Sequence, residues 1–171
     1  MTELVSREPV KVIADIIVHE LELEPSQIVL NYEKFDIPPE PGLFVVLSYV
    51  SGKAIGNVNE SESTPAGMNE IQTVAMQHII QIDLMSFDNT ARTRKEEVIM
   101  ALRSIYSQQT QEIYNMKIAR IPEQFMNASS LEETKILNRF TMDLTIKSVY
   151  TKTKKADYYD SFKNVEVVYE H

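Results

Sequence analysis

The chain has 171 residues, a formal net charge of −8 and no cysteine. This length and an apolar content of 43% suit one domain with a single core. The acidic balance disfavours generic binding to nucleic acid or to an anionic membrane, although it leaves room for a local basic patch. The lack of cysteine excludes disulfides, thiolate metal sites and a cysteine nucleophile, and it is compatible with assembly in a reducing cytoplasm.

The N-terminal segment has neither the apolar core of a signal peptide nor a stretch of membrane-spanning length. Apolar residues recur at helical spacing after a plausible N-cap at Ser6 and a first-turn Pro9, which predicts a helix over residues 7–21. We expect this helix to pack on its own domain rather than on a neighbouring subunit. Residues 22–42 contain four prolines and are predicted to form an extended, irregular connector.

Strand patterns dominate the next part of the chain. Residues 43–50 form a β-rich apolar run between Pro41 and Gly52, which predicts a buried strand. Residues 57–66 are polar and acidic, with nothing to bury, and predict a mobile loop. Residues 72–85 alternate between apolar and polar side chains, so we expect a long, half-buried strand there.

An amphipathic helix is predicted to follow. Asp88, Asn89 and Thr90 offer N-cap side chains, and we expect this central helix to end near Ser107. A short strand is predicted over residues 117–121, where Pro122 ends the β-like run.

The C-terminal third is predicted to contain two further strands. Residues 122–134 are expected to form a loop with one helical turn around Leu131. Alternation over residues 140–150 predicts a second long amphipathic strand, and residues 152–160 predict a charged turn. Residues 165–169 alternate again, so we expect a final strand that forms a hairpin with the preceding one.

The order of elements predicts an α+β fold. In that fold a mainly antiparallel sheet is flanked by the central helix and the N-terminal helix. We expect one domain over residues 1–171, in which the helix at 7–21 and the connector at 22–42 precede an α+β body at 43–171. The sequence contains no internal repeat.

Histidine chemistry is not expected. His19, His78 and His171 fall on the first helix, on a long strand and at the last residue, so three unrelated placements would have to converge to form a site. His78 lies on the apolar face of its strand, which favours a hydrogen-bonded core histidine. No phosphate-binding loop, dinucleotide fingerprint, zinc-protease motif or serine-hydrolase motif occurs. No cofactor or metal is therefore predicted.

A pair of carboxylates gives the enzymatic alternative. Asp83 and Asp143 each lie on the polar face of a predicted strand, and adjacent strands could bring them together around a divalent metal, as a nuclease requires. The simpler reading is that they are solvated or paired with neighbours such as Lys147 or Arg139, and we favour it. Glu96 and Glu97 are likewise expected on the solvent-exposed face of a helix.

A basic cluster with aromatic neighbours lies near the C-terminus. It consists of Lys152, Lys154, Lys155, Tyr158 and Tyr159. Such a cluster could bind single-stranded nucleic acid, or it could be no more than a charged hairpin tip. We rank an acidic protein partner above nucleic acid, because the chain is acidic elsewhere.

The acidic segment around Asn57, Glu60 and Glu62 is a natural complement to that basic cluster. If copies assembled head to tail in a ring, the two oppositely charged segments could face each other or the next component. We therefore predict that residues 50–68 and 150–162 form interface loops.

Three stretches of the sequence carry a family resemblance. In order, they are GLFVVLSYVSGKAIGN, MQHIIQIDLMSFDNTARTRKEEVIMALRSIYSQQ and KILNRFTMDLTIKSVYTKTKKADYYDSFKNVEV. They share a proline-led strand with a glycine-marked exit, a strand ending in Asp83 before a helix with Ala91 and Arg92, and Asn138–Arg139 opening a long strand. With these features, residues 38–168 resemble the neck terminator and tail-completion family of tailed phages.

The resemblance implies a structural role without catalysis. It implies a ring of identical subunits, commonly six, that caps the finished tail tube and offers a docking surface to the head connector or completion protein. The implied location is the neck of the virion, after assembly in the host cytoplasm, with contact to the sheath terminus if the tail contracts. No membrane and no specific nucleic acid is expected as a partner. The alternatives are another tail component, a tube or baseplate subunit, and a divalent-metal nuclease.

Overall fold

The computed structural model describes residues 7–30, 41–65, 67–132 and 135–156. These residues form three α-helices and a mostly antiparallel sheet, so the predicted α+β class is confirmed. The helices are α1 (Pro9–Leu21), α2 (Thr90–Leu102) and α3 (Ile105–Ile113). The strands are β1 (Ile28–Leu30), β2 (Phe44–Thr64), β3 (Gly67–Ser86), β4 (Met116–Arg120), β5 (Met126–Asn127), β6 (Ser130–Glu132) and β7 (Lys135–Ala156).

Three long strands form the centre of the sheet. The strand order is β1-β2-β3-β7-β4, and the short strands β5 and β6 also pair with β7. Only the β1–β2 pair is parallel among the described strands. Since β2, β3 and β7 are each 20 residues or longer, they extend well beyond the part of the sheet that the helices cover.

The core lies between the helices and one face of the sheet, which we call the helix face. Alternate residues of β3 and β7 point into it, and Ile80, Ile82, Leu144 and Ile146 are fully buried. α1 contributes a broad apolar surface and contacts α2, α3 and the sheet of its own chain. On the opposite side of the sheet, which we call the open face, the described residues form a smaller apolar cluster at the base of the long strands.

The start of α1 differs slightly from the prediction. The helix begins at Pro9, its N-cap residue is Glu8, and Glu8 makes no side-chain capping bond. Ser6, the predicted N-cap, lies outside the described residues. None of the helices in the described part of the chain has the length and apolar character needed to cross a membrane.

The prediction of one central helix ending near Ser107 was wrong. α2 ends at Leu102 and a separate helix, α3, continues to Ile113. Ser104 starts the second helix, because its side chain accepts a hydrogen bond from the Ser107 backbone N–H at 3.0 Å. The Ser107 hydroxyl in turn donates to the Leu102 carbonyl at 2.9 Å and satisfies the end of α2.

The predicted loop at residues 57–66 was also wrong, because β2 runs through it to Thr64. A tight turn makes this possible: Gly67 has φ of +122°, and the Thr64 hydroxyl donates to the Gly67 carbonyl at 2.9 Å. Every backbone position from Gly56 to Thr64 then has a register partner on β3, so the polar residues need no core to be ordered.

Further corrections concern the C-terminal part. The predicted charged turn at 152–160 is strand as far as Ala156. The predicted loop at 122–134 contains β5 and β6, and Leu131 lies in β6 rather than in a helical turn. Of the connector predicted at 22–42 as extended and irregular, the described part contains a 3-10 turn over Pro25–Gln27 and the short strand β1, and residues 31–40 lie outside the described residues. The predicted last strand at 165–169 lies outside the described residues.

Candidate assembly interface

The outer halves of the long strands form a three-stranded arm, which we define as residues 53–64 of β2, 67–77 of β3 and 147–156 of β7. Ten residues of β7 correspond to a length of about 30 Å. The arm carries no helix on either face among the described residues, and its β2 residues from 53 to 63 are all exposed. Because little apolar area is buried there, packing of the arm against its own body does not explain why it is so long.

Both outer edges of the arm are unpaired within the described chain. β1 covers the outer edge of β2 only as far as Leu47, and β4 covers the outer edge of β7 only as far as Ser148. Beyond those points the outward N–H and C=O groups of each strand have no strand partner among the described residues. Such edges are templates for pairing with a strand of another chain.

The two edges carry opposite charges. Glu60 and Glu62 lie on β2 and are exposed, whereas Lys152, Lys154 and Lys155 lie on β7 and are exposed. The β3 register places them at the same height along the arm, since Asn69 pairs with both Glu62 and Lys155. The arm is therefore acidic along one edge and basic along the other.

One lysine of the basic edge is already engaged within the arm. The Lys154 ammonium lies 2.9 Å from a Glu70 carboxylate oxygen on β3. A hydrogen bond from the Gln72 amide, together with Lys154, holds the pKa of Glu70 below its usual range. Lys152 and Lys155 form no ion pair with any described residue.

The structure brings most of the predicted interface residues onto this arm, but not as loops. Asn57, Glu60 and Glu62 occupy one edge strand, and the lysines of the basic cluster occupy the other. Tyr158 and Tyr159 lie outside the described residues. Sequence reasoning missed the strand character because it required an apolar face, and these segments have none.

A shallow pocket of about 450 Å³ lies on the helix face of the arm. Its lining includes three amide side chains, Asn57 and Asn59 on β2 and Gln72 on β3, and Tyr150 and Lys152 line it on β7. Polar and apolar side chains are therefore mixed in this pocket beside the basic edge.

A buried histidine marks the point where the arm leaves the body. His78 is 5% exposed, its Nδ1 lies 3.1 Å from the Tyr49 hydroxyl, and its Nε2 lies 2.8 Å from the Ser148 hydroxyl. Each hydroxyl can donate or accept, so the neutral imidazole is fully satisfied. Burial lowers the pKa of His78. The prediction of a hydrogen-bonded core histidine is confirmed.

The other histidines do not join His78. His19 stacks on Tyr106 with ring centroids 3.7 Å apart, on the helical side of the molecule. His171 lies outside the described residues. In the described part of the chain, no group of three or more His, Asp or Glu side chains is arranged to hold a metal ion.

The carboxylates of the enzymatic alternative have different environments. Asp83 is 2% exposed, and the Arg139 guanidinium donates to its two oxygens at 3.0 Å each, as the simpler reading expected. The Gln81 amide and the Thr141 hydroxyl also donate to Asp83. Asp143 is exposed and lies in register with Gln81 rather than with Asp83. Donors occupy both oxygens of Asp83, so this carboxylate is poorly placed to ligate a metal.

Comparison with known proteins adds no family to this geometry. No protein-family model matches the chain, and a search of curated proteins finds no relative of it.

Proposed function

We propose that this chain is a structural subunit of a tailed-phage particle, a tail terminator or neck protein that caps the head-proximal end of the tail tube and joins it to the head connector. The observation that carries the proposal is the arm, whose acidic β2 edge and basic β7 edge have no strand partner among the described residues. The sequence resemblance to the terminator family supports the same assignment. The protein acts by assembly, without catalytic turnover.

The mechanism is pairing of the β2 edge of one subunit with the β7 edge of the next. β2 and β7 run in the same direction in the arm, because both are antiparallel to β3. Two arms that point the same way around a symmetry axis would therefore pair as parallel strands. A contact between two different surfaces of the same protein can repeat from copy to copy. It forms a closed ring when a whole number of copies completes a rotation of 360°.

The edge charges select this pairing over its competitors. Two β2 edges would set Glu60 and Glu62 against the same residues of a second copy, and two β7 edges would set lysine against lysine. Both arrangements repel, while the β2–β7 arrangement attracts. Charged edge residues also discourage uncontrolled edge-to-edge aggregation. The edge charges thus favour the heterologous β2–β7 contact over an isologous dimer.

The partners follow from this role. A ring, six-membered by the resemblance, matches the symmetry of the tail tube protein on one side and meets the head connector on the other. The sheath terminus is an additional neighbour in a contractile tail. Many equivalent contacts act at once in a ring, so weak single contacts suffice for stable capping. The site is the neck of the virion, after assembly in the host cytoplasm.

A tube subunit is the second candidate, because unpaired complementary edges would also suit a protein that builds the tube. Tube subunits stack into long polymers, whereas a terminator stops at one ring. Antibody labelling of intact particles separates the two: a label at the head-proximal end supports the terminator, and a label along the tail or at its distal end supports a tube or baseplate subunit.

Electron microscopy of a lysate from the parent phage with this gene silenced tests the proposal. We expect intact heads beside separate tails that are overlong or unfinished. Complementation with the wild-type gene should restore joined particles, which controls for effects on neighbouring genes. Normal infectious particles in the silenced lysate would contradict an essential joining role.

A further inference from the structure

A row of basic side chains crosses the open face of the sheet at the base of the arm. Lys53 on β2 pairs with Gln77 on β3, Gln77 pairs with Lys147 on β7, and Lys147 pairs with Lys117 on β4. All three lysines are exposed. We call these three lysines the lysine row. Arg120 lies in register with Thr145, one step nearer the body, and is also exposed.

The lysine row has no neutralising partner in the described part of the chain. None of its members forms an ion pair there, although six other lysine or arginine side chains do. Asp143, the nearest carboxylate along β7 on this face, is four residues from Lys147, or about 13 Å by strand rise. Glu112 lines the same surface depression as Lys117 and Lys147 but forms no ion pair with either.

Like charges at this spacing oppose folding. Lys117 and Lys147 are direct cross-strand partners, and such pairs destabilise a sheet. Lys53 lies two strands from Lys147, or about 10 Å away. A protein with a net charge of −8 that concentrates unpaired lysines on one helix-free surface has a local potential opposite to its overall charge. The geometry points to an anionic ligand on this face.

The neighbouring side chains favour phosphates over an acidic protein. Gln77, Ser51 and Thr145 flank the lysine row and add amide and hydroxyl donors of the kind that bind nucleic-acid backbones. No aromatic side chain lies in the row, whereas the cores of protein interfaces are enriched in aromatics and depleted in lysine. Lysine side chains bind phosphate groups whatever the base sequence, so this surface suits a nucleic-acid backbone bound without sequence specificity.

We propose that the lysine row contacts the phosphate backbone of duplex DNA without sequence specificity. This inference rests on the proposed function, because the ring fixes which face meets the DNA. All three helices of the described chain pack on one side of the sheet. Subunits can therefore surround an axis with their helices on the outside of the ring and the open face on the inside. Six arms of three strands would form a barrel of about 18 strands, a size that leaves an open channel. Each subunit then contributes its lysine row to a basic belt that lines this channel and contacts DNA within it.

The test measures binding of a fluorescent duplex of about 30 base pairs by anisotropy, across a series of salt concentrations. The variant replaces Lys53, Lys117 and Lys147 with Gln. The control replaces Lys11, Arg92 and Arg103 with Gln, which removes the same charge from exposed positions on or next to the helices and leaves both arm edges intact. We expect the wild type to bind at low salt, the row variant to bind at least about tenfold more weakly, and its salt slope to fall by about 2 to 3. In the control, the fall in duplex affinity and in salt slope should be less than half of that in the row variant.

Native mass spectrometry of the same samples separates this inference from the proposed function. A row variant that assembles like the wild type but loses DNA affinity supports the lysine row. Wild-type protein that shows no salt-dependent affinity, assembled or not, would overturn the inference and leave the ring proposal standing. Equal weakening in the control, or tighter binding of a poly-glutamate peptide of matched charge than of the duplex, would also overturn it.

Discussion

His78 is a neutral base held between two hydroxyl groups, those of Tyr49 and Ser148, at the junction of arm and body. Protonation would place a charge in a site that is 5% exposed, and burial for this reason lowers the pKa of His78 below the ordinary value of 6.5. In the unfolded chain the same imidazole accepts a proton more readily. The free energy of unfolding should therefore fall as the pH drops below about 6.5.

We predict that His78→Gln flattens this part of the pH profile. The measurement is urea unfolding between about pH 7.5 and about pH 5.5, where few carboxylates titrate. The wild type should lose stability on acidification more steeply than the variant. A wild type whose stability is constant or rises as the pH falls would show that His78 is not buried in its neutral form. His19→Gln, at a half-exposed ring, is the matched control.

At single positions, sequence reasoning succeeded where the alternation of apolar and polar residues was enough to assign a side chain to one face of a strand. The apolar face of β3 placed His78 in the core, and the polar face placed Asp83 beside possible basic partners. It could not show that Asp83 is buried at 2% exposure, because that depends on what covers the base of the open face. The unpaired state of the lysine row was also invisible, since its members come from three strands distant in sequence.

At the scale of elements, the base of the arm depends on a missing side chain at Gly52. The ring of Tyr49 crosses this position, and a Cβ on Gly52 would lie 1.9 Å from the Tyr49 hydroxyl oxygen. The register shift between Tyr49 and Ser51 accompanies this crossing. Glycine therefore lets the tyrosine reach His78.

We predict that Gly52→Ala destabilises the fold by about 1 kcal/mol, the net value of one hydrogen bond, because Tyr49 must rotate away from His78. Gly56→Ala is the control: its Cβ would meet only the Ala75 Cβ, at 3.9 Å, so it should be neutral or slightly stabilising. Denaturant unfolding gives both values, and the His78 ring signals in NMR report the lost contact. Equal effects of the two substitutions would contradict the role given to Gly52.

The long strands show how far element prediction from sequence could reach. The inner half of β2 was predicted from a short apolar, β-rich run, and the cores of β3 and β7 were predicted because apolar and polar side chains alternate along them. The outer halves of β2 and β7 were predicted as loops, since Glu60 and Lys154 stabilise strands only through register partners that no local pattern displays. The split between α2 and α3 was missed for a related reason: the N-cap at Ser104 interrupts an otherwise continuous helical pattern.

At the scale of the whole molecule, the fold class followed from the order of elements, whereas the arm and its two charged edges did not. Composition shows only the net charge of −8. This sum hides the separate acidic edge, basic edge and lysine row. The proposed assembly depends on that uneven distribution. It is therefore a property of strand register and cannot be deduced from the total charge.

The central claim is that β2 of one copy pairs with β7 of the next, and reversal of the edge charges tests it most directly. One variant carries Glu60→Lys and Glu62→Lys, and a second carries Lys152→Glu and Lys155→Glu. Lys154 is left unchanged because it pairs with Glu70. Each protein is mixed with tail tubes from the gene-silenced lysate, alone or as an equimolar mixture, and capped tube ends are counted by electron microscopy.

Each variant alone has two edges of like sign, so we predict that it fails to cap tubes although it remains folded. The equimolar mixture should restore capping, since acidic and basic edges can alternate around an even-numbered ring. A mixture that caps no better than either variant alone, or variants that each cap as well as the wild type, would contradict pairing through these edges.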